Sequence, residues 1–156
     1  MKDNIIDSWA LFGLVAFGIG DVIGGTCNGH ILDKIGSKKG ALVNVVLIIL
    51  TAAVTLISIQ VLKYNWLTYV MCFIWGIQDG AINIHTYRIL GTEFKSKSEP
   101  FSVFNLVQGI SVFCFQGIQS MIDSDEKGSL EDWTLVAGVF GAVALGVTYF
   151  MPFNSK

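Results

Sequence analysis

Charged residues in this chain gather into short islands, and the stretches between them stay apolar for the length of a bilayer crossing. Gly40 to Leu62 and Pro100 to Ile122 each run 23 residues without a charge, and Trp133 to Asn154 runs 22. Two more stretches of similar length enclose a single acid: Ser8 to Leu32 holds Asp21, and Tyr64 to Tyr87 holds Asp79. A helix rises about 1.5 Å per residue, so roughly 20 residues cover the ~30 Å hydrocarbon core. The pattern predicts an all-α, polytopic membrane protein. Its expected form is a bundle of five transmembrane helices, at approximately 7–32, 40–62, 64–88, 100–122 and 132–153, in one domain spanning 1–156.

The residues at the predicted helix ends fit this parse. Gly36 is suited to close the first helix, and Ser37 to N-cap the second. Pro100 fits a first helical turn, where its missing N–H is not needed. Lys38 and Lys39 fall at a helix N-terminus, which the macrodipole makes unfavourable for cations. Their place suits topology or a partner better than helix stability.

Composition narrows the classes further. Hydrophobic residues make up 53% of the chain against 14% charged, too little polar surface to cover five such runs in water. The net charge of −2 offers no basic field, so nucleic acid is not an expected partner. Cys27, Cys72 and Cys114 all lie inside apolar runs and read as small packing residues. No cofactor, metal cluster, nucleophile–base pair or phosphate-cradling loop is visible, so no enzyme activity is expected.

Charge also predicts orientation. Seven basic residues (Lys34, Lys38, Lys39, Arg88, Lys95, Lys97 and Lys156) fall on one side of the predicted membrane. Lys2, Lys63 and Lys127 fall on the other, where the Asp123–Asp132 segment is acidic. The positive-inside bias then places the C-terminus in the cytoplasm, or its equivalent, and the N-terminus outside.

The polar residues within the runs are unevenly spread. On the first helix Asp21, Gly24, Gly25 and Asn28 share one side. On the third, Gly76, Asp79, Asn83, Thr86 and Tyr87 share an arc of about 100°. On the fourth, Asn105, Gln108, Gly109, Gln116, Gln119 and Ser120 form a stripe about 120° wide. The second and fifth helices carry only scattered polar groups and read as peripheral. Three polar faces are thus expected to turn toward a shared interior. Asp21 and Asp79 each precede the inner end of their helix by nine residues, about 14 Å, and so match in depth. An acid at that level carries a proton, ligates a cation or binds a polar group, or else it fixes helix packing. The amides of the fourth helix are open to the same two readings. Arg88 reads as a headgroup-facing side chain, and His85 as a lone histidine at a helix end. Small-x-x-x-small pairs (Gly20/Gly24, Gly25/Gly29, Gly76/Gly80, Ala137/Gly141 and Ala142/Gly146) mark close helix crossings.

The first basic segment runs Gly29-His-Ile-Leu-Asp33-Lys34-Ile-Gly36-Ser37-Lys38-Lys39. It resembles the G-x-x-x-D-[RK]-x-G-[RK]-[RK] loop of the major facilitator superfamily, with Ser37 where a basic residue is usual. Trp75-Gly-Ile-Gln-Asp79-Gly-Ala-Ile-Asn83 and Pro100-Phe-Ser-Val-Phe-Asn-Leu-Val-Gln108 look like segments from the C-terminal half of UNC93-like proteins, a branch of that superfamily. Asp79 and Asn83 match the branch's Asp and Asn, whereas His85 stands where Gln is usual and Gly80 replaces Ser. The resemblance implies that the five helices correspond to helices 8 to 12 of a twelve-helix facilitator, an incomplete half. In that fold 8, 10 and 11 line the central cavity, the same division that the polar faces give.

Two functions are then expected. One is a non-catalytic accessory, scaffold or regulatory subunit, held in the bilayer and packed against other membrane proteins. The other is a fragment or half of a secondary transporter for a small solute, with proton coupling through Asp79. It would need a missing N-terminal half, since alternating access takes two bundles.

Overall fold

The structure, a computed structural model, describes residues 3–61, 66–96, 98–122 and 127–152. All regular structure among them is helical: α1 (Asp3–Val61), α2 (Trp66–Glu93), α3 (Ser98–Ser120) and α4 (Lys127–Phe150). Four helices thus stand where five were expected. The predicted loop between residues 32 and 40 is helical apart from one residue, Gly36, whose φ of 78° and ψ of 166° break the helix. An L side chain resists that conformation and glycine does not. The break reverses the chain. Asn28 and Asn44 would lie about 24 Å apart along a straight helix, yet their side chains meet at 3.5 Å. α1 is therefore a hairpin of two arms, 3–35 and 37–61. Gly36 does close the first arm, as expected.

Ser37 does not serve as the expected N-cap. Its hydroxyl is buried without a hydrogen-bond partner among the described residues, while its carbonyl accepts a bond from α2.

α2 lies parallel to the first arm and antiparallel to the second. Along the first arm, Gly20 sits against the Phe73 carbonyl and Gly24 against Ile77, while Gly76 meets the Phe17 carbonyl and Gly80 the Asp21 carbonyl. Any Cβ at these four positions would overlap backbone, so the two glycine pairs interlock and let the helices touch main chain to main chain. Along the second arm, Trp75 Nε1 donates to Thr55 Oγ1 at 2.9 Å, and His85 reaches both Asn44 and Ser37. α4 runs antiparallel on the far side of the second arm, with Gly141 against Ile48 and Gly138 against Ala52. The later motif of α4 is unused: Gly146 has no neighbour within 4 Å.

The second arm is accordingly the centre of the bundle, not its periphery. Asn44, Thr51 and Thr55 on it are all buried, because both α2 and α4 pack against it. α3 takes the outer place instead. It buries no residue and is joined to the rest by rings, Phe101 and Phe104 against Tyr87 of α2 and Phe115 against Trp133 of α4.

Burial is inverted relative to a water-soluble domain. Five apolar residues are buried among those described (Leu32, Ala41, Ile48, Ala81 and Leu145) against eight polar ones, while Leu, Ile, Val and Phe side chains dominate the outside. Three helices are long and apolar enough to cross a membrane: Ala10–Gln60 within α1, Ser98–Ser120 and Gly128–Phe150. The first is 51 residues long and is broken into two arms at Gly36. α2 is long enough but holds Asp79, Arg88 and Glu93.

Candidate functional site

Polar chemistry collects in two places, on opposite sides of the glycine seam between α1 and α2. The first is an open cavity of about 440 Å³ lined by Asp21, Val22, Gly25, Thr26, Gly80, Asn83, Ile84 and Tyr87. The parallel packing of the first arm on α2 brings Asp21 to the level of Gly80, the residue after Asp79. Asp21 is half-buried, and no hydrogen bond or ion pair holds its carboxylate among the described residues. Asp79 lies exposed one turn from Asn83, whose Nδ2 donates to Asp79 Oδ2 at 3.1 Å. Asp79 directly precedes Gly80, which packs on the Asp21 carbonyl, so the two acids stand on adjoining turns of neighbouring helices.

The second place is a buried network between the hairpin arms and α2. Asn28 Nδ2 donates to the Ala81 carbonyl at 2.6 Å and, over a long 3.5 Å, to Asn44 Oδ1. Asn44 Nδ2 is 2.9 Å from His85 Nδ1, and His85 Nε2 is 2.9 Å from the Ser37 carbonyl. A carbonyl only accepts, so Nε2 carries the proton and Nδ1 accepts from the asparagine. The side-chain N–H groups of Asn28, Asn44 and His85 thus each meet an acceptor, while Asn28 Oδ1 and the Ser37 hydroxyl have no partner among the described residues. His85 is 2% exposed, not a histidine at a helix end facing water. Beside this network Arg88 pairs with Asp33 at 2.5 Å, tying the end of α2 to the hairpin turn. Arg88 is thus engaged with protein, where a free headgroup-facing side chain was expected.

The predicted polar arcs divide accordingly. Asp21 and Gly25 face the cavity, Gly24 is spent on the seam, and Asn28 belongs to the buried network. Asn83 and Tyr87 reach the cavity from α2. Asn105, Gln108 and Gln116 do not. They are exposed on α3 and line no part of the cavity, so the third polar face stays apart from the first two. The reason is that α3 is held only by its aromatic contacts and has no flank packed into the bundle.

Of the basic-segment residues, Gly29 faces Ile84, Asp33 takes Arg88, and Gly36 turns the chain. Lys38 stands over the Tyr149 ring at 5.1 Å, a cation–π contact with α4. Lys34 and Lys39 are exposed. The residues missed from sequence are His85, Asn44 and Thr55. Their signal was present as single polar residues in apolar runs, but nothing local pairs them across 41 residues (Asn44 with His85) or 20 (Thr55 with Trp75).

Among the described residues no three His, Cys, Asp or Glu side chains cluster to hold a metal, and the three cysteines are free thiols. Comparison of the chain with known protein families, with curated proteins and with solved structures gives no match.

Proposed function

We propose that this protein is a non-catalytic integral membrane component, UNC93-like in character, that works as an accessory, scaffold or regulatory subunit within a larger membrane assembly. One observation carries this reading: among the described residues, the polar cavity beside Asp21 is lined by the first arm of α1 and by α2 only. The Asp21 carboxylate and the three polar side chains beside it, Thr26, Asn83 and Tyr87, would cost several kcal/mol if left facing lipid, and a neighbouring protein relieves that cost. The exposed amide stripe of α3 asks for the same kind of cover. Lined by these two helices alone, the cavity gives a solute no second bundle to move between.

The second reading is half of a secondary transporter. It is favoured by one feature, the pair of carboxylates Asp21 and Asp79 at a common level. Native mass spectrometry after mild detergent extraction separates the two. A stoichiometric complex with a different membrane protein supports the accessory role. A homodimer that drives proton-dependent uptake in liposomes, lost in Asp79→Asn, would replace it with transport.

A further inference from the structure

We propose that the Asp21 cavity is a docking groove for one transmembrane helix of another protein, and that this helix carries a Lys or Arg near the middle of its span. The inference rests on the accessory reading and names the chemistry of the partner.

Charge comes first. Asp21 and Asp79 stand on neighbouring helices inside long apolar segments, and no described cation answers them. Two described basic side chains are already engaged elsewhere, Arg88 with Asp33 and Lys38 over Tyr149. A second copy of this chain brings no cation to that depth either, because Asp21 and Asp79 are the only charged residues in the interiors of the five apolar runs. The complement must come from a different chain.

Shape comes second. Gly25 and Gly80, packed against each other in the seam, contribute backbone to the lining of the groove. Thr26, Asn83 and Tyr87 line the wall and offer oxygens as acceptors for an ammonium or guanidinium group. Val22 and Ile84 supply apolar contact for the rest of the visiting helix. No residue of α3 or α4 roofs the cavity. An ion pair formed away from water is screened far less than one at the surface, which gives such a contact specificity.

The test uses the whole protein in lipid nanodiscs and two synthetic helices of leucine and alanine. One carries a single central lysine and the other a central leucine, and binding is read by energy transfer from a donor dye on the protein. The expected result is at least tenfold tighter binding of the lysine helix. That preference should shrink to less than threefold in Asp21→Asn and again in Asp79→Asn. The all-leucine helix should bind the variants and the parent alike, which shows that the variants remain folded. Equal binding of the two helices to the parent protein overturns the proposal. So does displacement of the lysine helix by millimolar butylammonium, which would mark a small-cation site instead. Native complexes with other membrane proteins would still stand in either case, so failure here is distinct from failure of the accessory role.

Discussion

His85 shows how much one side chain can hold. Its ring is buried where both arms of α1 meet α2, donating to the Ser37 carbonyl and accepting from Asn44. Removing it leaves a buried carbonyl and a buried amide without partners, and such orphaned groups cost about 1–3 kcal/mol each way the loss is counted. His85→Leu should therefore lower the thermal midpoint in detergent by several degrees, whereas His85→Gln, which keeps a donor and an acceptor, should recover part of the loss. Equal midpoints for the parent and His85→Leu would show that the network does not hold the hairpin shut. From sequence this residue looked unremarkable. Hydrogen-bond partners distant along the chain are set by which helices become neighbours, and no local spacing encodes that choice. Asp21 was different: a charge inside an apolar run is expensive wherever the helix goes, so its importance is visible before the fold is known.

Between elements, glycine decides the contact. Gly20 and Gly24 interlock with Gly76 and Gly80 so closely that a Cβ would meet backbone, which cannot swing away as a side chain can. Gly24→Val should destabilise the bundle by about 3 kcal/mol or more, the upper range for overpacking. Gly146→Val, at a site with no neighbour within 4 Å, should leave it unchanged. Size-exclusion profiles of fluorescent fusions measure both, and a monodisperse Gly24→Val with the parent's melting point would contradict the seam. The spacing of these glycines announced a close crossing on both helices, and there sequence and structure agree. The same spacing at Ala142 and Gly146 announced one that does not form within this chain. A small-residue stripe permits approach; a second helix of matching shape has to accept it. That is also why the α3 stripe misled. Its amides share a face by helical geometry alone, but the aromatic contacts that seat α3 point a different set of residues at the bundle. The break at Gly36 was legible because the backbone there needs a residue without Cβ. The tightness of the reversal was not, since the neighbouring lysines read as a loop and lie on helix.

At the scale of the molecule, the polar centre and greasy outside leave one question of geometry, the side on which each end lies. The hairpin turn holds Lys34, Lys38 and Lys39, and the Arg88–Asp33 pair brings the end of α2 to the same level. The positive-inside bias predicts that this end faces the cytoplasm or its equivalent. Between Lys39 and Gly128 the chain makes three passes if the second arm, α2 and α3 all span, so the two residues should face opposite compartments. In a background with Cys27, Cys72 and Cys114 replaced by serine, Gly128→Cys should react with an impermeant maleimide on intact cells. Lys39→Cys should react only after permeabilisation. The reversed pattern would invert the orientation and keep the bundle. Labelling of both from one side would be more damaging, because an odd number of crossings could not be correct. The helix to doubt would then be α2, which would have to carry Asp79 through the bilayer.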